Sequence, residues 1–142
     1  MIKRITQHDT LVLRSRVLRK GIDPELCRFP ADENAGTFHL GYFEGDMLVC
    51  IGTFFPEDYK DMGPKGFRLR GMASDPDFAG KGYGGQLINF ALDELKSSGA
   101  AYIWCNARTT ASGFYRKLGF NFCSEEFEIP GVGLHYDMYL LF

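Results

Sequence analysis

A chain of 142 residues is long enough to bury roughly two thirds of the surface its unfolded form exposes, so one domain over residues 1–142 with one core is expected. With 45% hydrophobic and 15% aromatic residues it lies far from the composition of disordered chains. A formal charge of −2 offers no global field for a polyanion, which excludes nucleic acid as the expected partner and requires any anionic ligand to find a local site.

In chain order, a short strand near Ile2 to Ile5 leads to Asp9, the expected N-cap of a helix carrying Leu11, Arg14, Val17 and Leu18 at helical spacing and ending at Gly21. Residues 22–36, with Pro24 and Pro30, read as a loop holding one helical turn around Glu25 to Cys27. Thr37 to Phe43 and Met47 to Phe55 are β-rich runs joined by Glu44-Gly45-Asp46, the pattern of an antiparallel hairpin. Gly66 to Ser74 predicts a strand with Phe67, Leu69, Gly71 and Ala73 on one face and Arg68, Arg70, Met72 and Ser74 on the other; Gly71 marks a bulge or a close backbone approach. Leu87, Ile88, Ala91, Leu92 and Leu95 form the apolar stripe of a helix over 84–98, stopped by Gly99 and followed by a short strand from Ala101 to Cys105. Strand, turn, helix and strand make a right-handed crossover, so the two strands should lie parallel. A helix over Thr110 to Leu118 and strands near Phe120 to Ser124 and His135 to Leu141 complete an α/β fold with a mixed sheet and helices on its faces.

The stretch DPDFAGKGYGGQLINFALDEL contains G-x-G-x-x-G in Gly80, Gly82 and Gly85 at the start of that helix. Glycines before a helix let backbone N–H groups close on a phosphate that the helix dipole also attracts, as in dinucleotide and coenzyme A sites. A dinucleotide fold needs its glycines directly after the first strand and an acid at the end of the next one. Here they lie past mid-chain, Asp75-Pro76-Asp77-Phe78 intervenes, and the next strand leads into Asn106, so the dinucleotide reading fails.

Ala79-Gly80-Lys81-Gly82-Tyr83-Gly84 resembles the Q/R-x-x-G-x-G/A signature of the GNAT superfamily of N-acetyltransferases, with Ala79 in place of the usual Gln or Arg. Phe114-Tyr115-Arg116-Lys117-Leu118-Gly119-Phe120 is similar to the family's downstream helix-to-strand motif. The resemblance implies a GNAT fold, a mostly antiparallel mixed sheet whose one parallel strand pair splays apart. It implies acetyl-CoA as cosubstrate without a metal, a small-molecule or peptide amine as acceptor, and room for a homodimer. Coenzyme contacts carried over are Met72, Ala73, Ser74, Gly80, Lys81, Gly82, Tyr83, Gly84, Gly85 and Asn106, and Tyr115 is the implied catalytic acid toward the departing thiolate.

The acceptor-side candidates are His39, Arg70 and His135; the last lies in a G-x-x-H-x-x-M ending found in some family members. Phe114 is expected to anchor its helix and free Tyr115 for chemistry, and Asn106 to sit at a strand end. No carboxylate lies on residues 67–74, so a base acting through water is the default. Acids and basic residues both occur in 20–36 and 55–66, where the acceptor is expected, and neither charge preference prevails. Cys27, Cys50, Cys105 and Cys123 form no C-x-x-C pair and read as inert thiols. Neither a leader-like apolar segment nor a run near the roughly 18 residues of a bilayer span is present, so a cytoplasmic protein without membrane contact is expected. The alternative from another class is a coenzyme-binding sensor module of the same fold without turnover.

Overall fold

The computed structural model describes residues 1–142, beginning with β1 (Ile2–Ile5) and α1 (Gln7–Leu13). The N-cap of α1 is Thr6 rather than Asp9. The Thr6 hydroxyl accepts from the Asp9 N–H at 3.2 Å while the Asp9 carboxylate accepts from the Thr6 N–H at 3.0 Å, a capping box with the acid at the third helical position. The expected continuation to Leu18 takes the wider form of a π-helical turn, Arg14–Leu18. Gly21, at φ +77°, closes it by donating to the Ser15 carbonyl at 2.8 Å. The following loop holds two 3-10 turns, Pro24–Cys27 and Pro30–Glu33, each led by a proline whose missing N–H costs nothing at that position.

β2 (Phe38–Glu44) and β3 (Met47–Pro56) form the hairpin, and because Glu44 itself pairs with Met47 the connection is Gly45-Asp46, one residue shorter than expected. β4 (Gly66–Ser74), α2 (Tyr83–Ser97) and β5 (Tyr102–Arg108) make the crossover. β5 runs three residues beyond its expected end because it pairs antiparallel with β8 (Gly133–Leu141) up to Arg108↔His135, so Asn106 lies inside the strand. Between them come α3 (Ser112–Lys117), β6 (Asn121–Phe122) and β7 (Phe127–Ile129). β7 was not expected: its three residues are too few for a period and owe their strand form to pairing with β8. The sheet order is β1-β2-β3-β4-β5-β8-β6, with β7 also on β8, and only β4 and β5 are parallel.

α2 covers one face of the sheet. Leu87, Ile88, Ala91 and Leu95 are at most 1% exposed against Leu40, Phe54, Leu69, Ile103 and Met138, and each large side chain contributes roughly 1.5–3 kcal/mol by leaving water. α1 covers the opposite face, where Leu13 packs on Ile51 and Ala73, while Tyr59, Tyr102 and Trp104 form a separate cluster. No helix is long and apolar enough to cross a membrane.

Gly71 determines how the two faces meet. Its φ is +68°, and the register against β3 shifts from Thr53↔Arg70 to Ile51↔Ala73, so Gly71 and Met72 together oppose Gly52. The expected alternation therefore holds only up to Arg70: Leu69 lies under α2, whereas Ala73, past the bulge, lies under α1. A Cβ at Gly71 would stand 2.8 Å from the Phe29 ring, so both the backbone angle and the close approach require glycine. β4 and β5 pair only at Gly66↔Tyr102, Phe67↔Ile103 and Arg68↔Trp104, although both strands continue; from Leu69 onward they diverge.

Candidate active site

At one end of this divergence is the glycine turn. Gly80 and Gly82 have φ +79° and +80°, and Gly82 is the N-cap of α2 in a left-handed conformation with no side-chain cap. The six N–H groups from Gly80 to Gly85 donate to no acceptor in the chain; the first α2 bond is Gln86 N–H to the Gly82 carbonyl. Unpaired amides beside the positive end of a fifteen-residue helix suit the oxygens of a diphosphate. The Lys81 and Tyr83 side chains instead lean on the β2–β3 hairpin. Lys81 Nζ stands 3.7 Å from the Glu44 carboxylate, and the Tyr83 hydroxyl donates to that same group, which pushes its pKa up to about 12. Tyr83 also stacks on Tyr42 with ring centres 4.1 Å apart.

The divergence opens into a cavity of about 1080 Å³. Of the residues singled out above, Arg70, Met72, Asn106, Tyr115 and His135 lie on its wall, and His39 does not. His39 is buried, with Nδ1 2.8 Å from the Thr53 hydroxyl and Nε2 3.3 Å from the Asp32 carbonyl, and burial holds its pKa below the ordinary histidine value. It belongs to the packing beneath α1. Ala73 packs on Leu13 and Ile51, the Ser74 hydroxyl lies 3.2 Å from the Cys50 sulfur, and neither residue is on the cavity wall, although both lie in the part of β4 that no longer pairs with β5.

The packing of Tyr115 and Phe114 is the reverse of that expected, although Tyr115 still reaches the cavity wall. Phe114 is 37% exposed, whereas Tyr115 is a core residue at 7%, packed edge-on against Phe120. The Tyr115 hydroxyl has no hydrogen-bond partner in the protein, and desolvation holds its pKa well above the ordinary tyrosine value. Asn106 is tied into a chain of polar groups instead of capping a turn. Its amide oxygen accepts from Arg68, its amide nitrogen donates to Asp137, and the Tyr59 hydroxyl donates to Asp137 at 2.7 Å. His135 is buried beside Phe127, with Nδ1 2.8 Å from the Gly133 carbonyl. A carbonyl only accepts, so Nδ1 carries a proton and Nε2 is left without a protein partner.

Several wall residues escaped sequence reasoning. Arg14, 1% exposed on its side chain, forms a two-pronged ion pair with Asp32 at 2.8 and 2.9 Å and donates to Thr53 Oγ1 and the Cys27 carbonyl. The Arg14 guanidinium also lies 3.8 Å from the centre of the Phe29 ring. Arg19, Lys20 and Arg108 reach the wall from the end of the π-helical turn and the end of β5. Cys105 lines the cavity too, but burial pushes its thiol far above the range of a reactive cysteine.

The model of an acetyltransferase (GNAT) domain matches residues 16–141. The uncharacterized N-acetyltransferase YitI of Bacillus subtilis is 38% identical over 139 residues, covering 97% of this chain and 93% of that protein. Among solved structures, the ribosomal-protein-S18-alanine N-acetyltransferase from Escherichia coli superposes with a TM-score of 0.78 at 18% identity, over 99% of this chain and 92% of that one. An aminoglycoside 6'-N-acetyltransferase complexed with coenzyme A gives 0.72 at 17% identity, over 99% and 96%. Joined to a sheet whose only parallel pair splays beside a glycine-capped helix, these likenesses establish that the chain belongs to the GNAT family of acetyltransferases.

Proposed function

We propose that this chain transfers an acetyl group from acetyl-CoA to a primary amine by direct attack in one ternary complex. The observation carrying the reading is the divergence of β4 from β5, which leaves an unpaired β4 edge between a cavity holding Tyr115 and His135 and the strand's end, beyond which six unpaired amides stand at the α2 start. Acetyl-CoA supplies the activated thioester. The Gly80 to Gly85 amides hold its diphosphate, with Lys81 as a flexible counter-charge beside the turn. The backbone of Met72, Ala73 and Ser74 pairs with the amides of the pantetheine arm as a strand would, and its N–H groups polarise the thioester oxygen. Asn106, on the facing strand, flanks the arm through its backbone, since its side chain is occupied. As the amine nitrogen bonds to the carbonyl carbon and the carbon–sulfur bond breaks, Tyr115 gives its proton to sulfur. His135 Nε2, directly or through water, takes the proton released by nitrogen.

Two measurements test this. Free thiol should appear from acetyl-CoA only when an amine is added, and double-reciprocal lines should intersect, because Cys105 is too deeply buried to form a thiolate and carry the acetyl group. Parallel lines, or an acetylated protein by mass spectrometry after acetyl-CoA alone, contradict direct transfer; coenzyme binding without amine-dependent release marks a sensor module. Gly82→Val should weaken acetyl-CoA binding about tenfold or more, since a side chain at φ +80° costs about 1–2 kcal/mol and the turn must relax away from the geometry that presents its amides. Calorimetry on a variant with the parental circular dichroism spectrum and an unchanged affinity would place the diphosphate elsewhere.

A further inference from the structure

The cavity wall carries Arg14, Arg19, Lys20, Arg68, Arg70 and Arg108 and not one aspartate or glutamate. That is an inversion of the chain as a whole, whose formal charge is −2. The acids near it are consumed: Asp32 by Arg14 and the Phe29 N–H, Glu57 by Arg68 at 3.2 Å, and Asp137 by Tyr59 and Asn106. Arg19, Lys20, Arg70 and Arg108 form neither an ion pair nor a side-chain hydrogen bond. Their charges therefore stand uncompensated around one concave space. The acids of 22–36 that left the charge preference open are absent from the wall, to which that loop contributes Cys27 and Phe29, while 55–66 contributes nothing.

These cations are not placed for the diphosphate. Arg68 and Arg70 alternate along β4 with Leu69, and Arg108 follows Ala107 on β5; Leu69 and Ala107 point into the core beneath α2, so the arginines project from the opposite face, the α1 side. Arg70 lies with its guanidinium 4.2 Å from the centre of the Phe29 ring, a cation–π contact that restrains its fork of donors, which suits a two-oxygen anion. Burial, then the charges of Arg68 and Arg14, lower its hold on the proton, a repulsion that an arriving anion relieves. The buried Nε atoms of Arg14 and Arg68 have no acceptor in the protein.

Resting on the acetyl-transfer reading, we infer that the acceptor is an amine bearing an anionic group, a carboxylate or a phosphate, which the Arg70 and Arg108 side of the cavity holds while the amine faces the thioester. The same wall assists the chemistry. Positive neighbours favour the neutral form of an amine, so the nucleophile is delivered without its extra proton although β4 carries no carboxylate base. A polycationic acceptor would be repelled from this space and would find no acid to bind.

The experiment compares matched amines at saturating acetyl-CoA: L-glutamate against its diamide L-glutaminamide, O-phosphoethanolamine against ethanolamine, and spermidine as the polycation. The anionic member of at least one pair should exceed its neutral partner at least tenfold in kcat/KM, and which pair responds separates a carboxylate from a phosphate. Arg70→Gln and Arg108→Gln should erase most of that preference by raising the acceptor KM, with acetyl-CoA affinity unchanged, and Arg70→Lys should restore part of it. Added salt should lower kcat/KM for the anionic amine alone. Spermidine or neutral amines acetylated as well as the anionic ones, or variants that lose coenzyme affinity instead, overturn the inference while leaving acetyl transfer intact. Thiol release that no amine stimulates defeats the transfer reading itself, and this inference with it.

Discussion

Arg14→Met is expected to destabilise the protein by about 3–5 kcal/mol at pH 7, a large part of the stability of a domain this size. Both members of the Arg14–Asp32 pair have side chains only 1% exposed, so deleting the guanidinium leaves a buried carboxylate whose remaining partner is the Phe29 N–H at 2.9 Å. In the parent, burial is the largest single influence and raises the Asp32 pKa, but the hydrogen bonds from Arg14 and from the Phe29 N–H, joined by the Arg14 charge, together outweigh it and the net shift is downward. Its contribution is thus present above the unfolded carboxylate value, near 4, and lost as pH falls through the depressed folded value. In the variant burial outweighs the one remaining bond, from the Phe29 N–H, so the folded pKa should lie above the unfolded one and stability should fall as pH rises from about 4. Urea unfolding should accordingly show a smaller gap between parent and variant at pH 4 than at pH 7. Replacing both partners, Arg14→Met with Asp32→Leu, should recover much of the loss, because two apolar side chains leave no buried charge unpaired. Equal gaps at the two pH values would mean that the loss comes from packing on Phe29 and not from the ion pair.

Arg14 also shows where the sequence ceased to be readable. On the page it is one more helical-spaced residue beside Leu11 and Val17, and nothing local pairs it with Asp32, eighteen residues on in a proline-bounded turn. Local chemistry was legible: the alternation of Gly66 to Arg70, the apolar stripe of α2 with Gly99 behind it, the bulge at Gly71 and the parallel crossover all follow from patterns within a few residues, while the change of face past the bulge does not. The N-cap was misplaced because Thr6 and Asp9 are both good caps, and only the reciprocal bonds of the capping box distinguish them. The extent of β5, the strand β7 and the parts played by Phe114 and Tyr115 depend on β8 and the core, contacts that no window of sequence contains. In the site, the glycine turn was legible because positive φ demands glycine; the charge of the cavity was not, because it depends on which acids are already paired.

The remaining large effect belongs to Tyr115→Phe, which should lower kcat by about 10² to 10⁴ with little change in acetyl-CoA affinity or in folding stability. The ring packs against Phe120 within the core and the hydroxyl bonds to no protein group, so phenylalanine preserves the packing and orphans no partner. Desolvation keeps the phenol protonated through the neutral range, which is the form a proton donor must have. It also makes the phenol a weaker acid than in water, but a thiolate leaving in the same buried space meets the same loss of hydration and holds a proton more tightly there, so donor and acceptor shift together. The loss should therefore appear with the best amine at saturating concentrations of both substrates. It should shrink when a thioester with a more acidic thiol replaces acetyl-CoA, since such a leaving group needs the proton less. An unchanged kcat in Tyr115→Phe across the pH range would assign this residue to the core alone and leave water as the donor to sulfur.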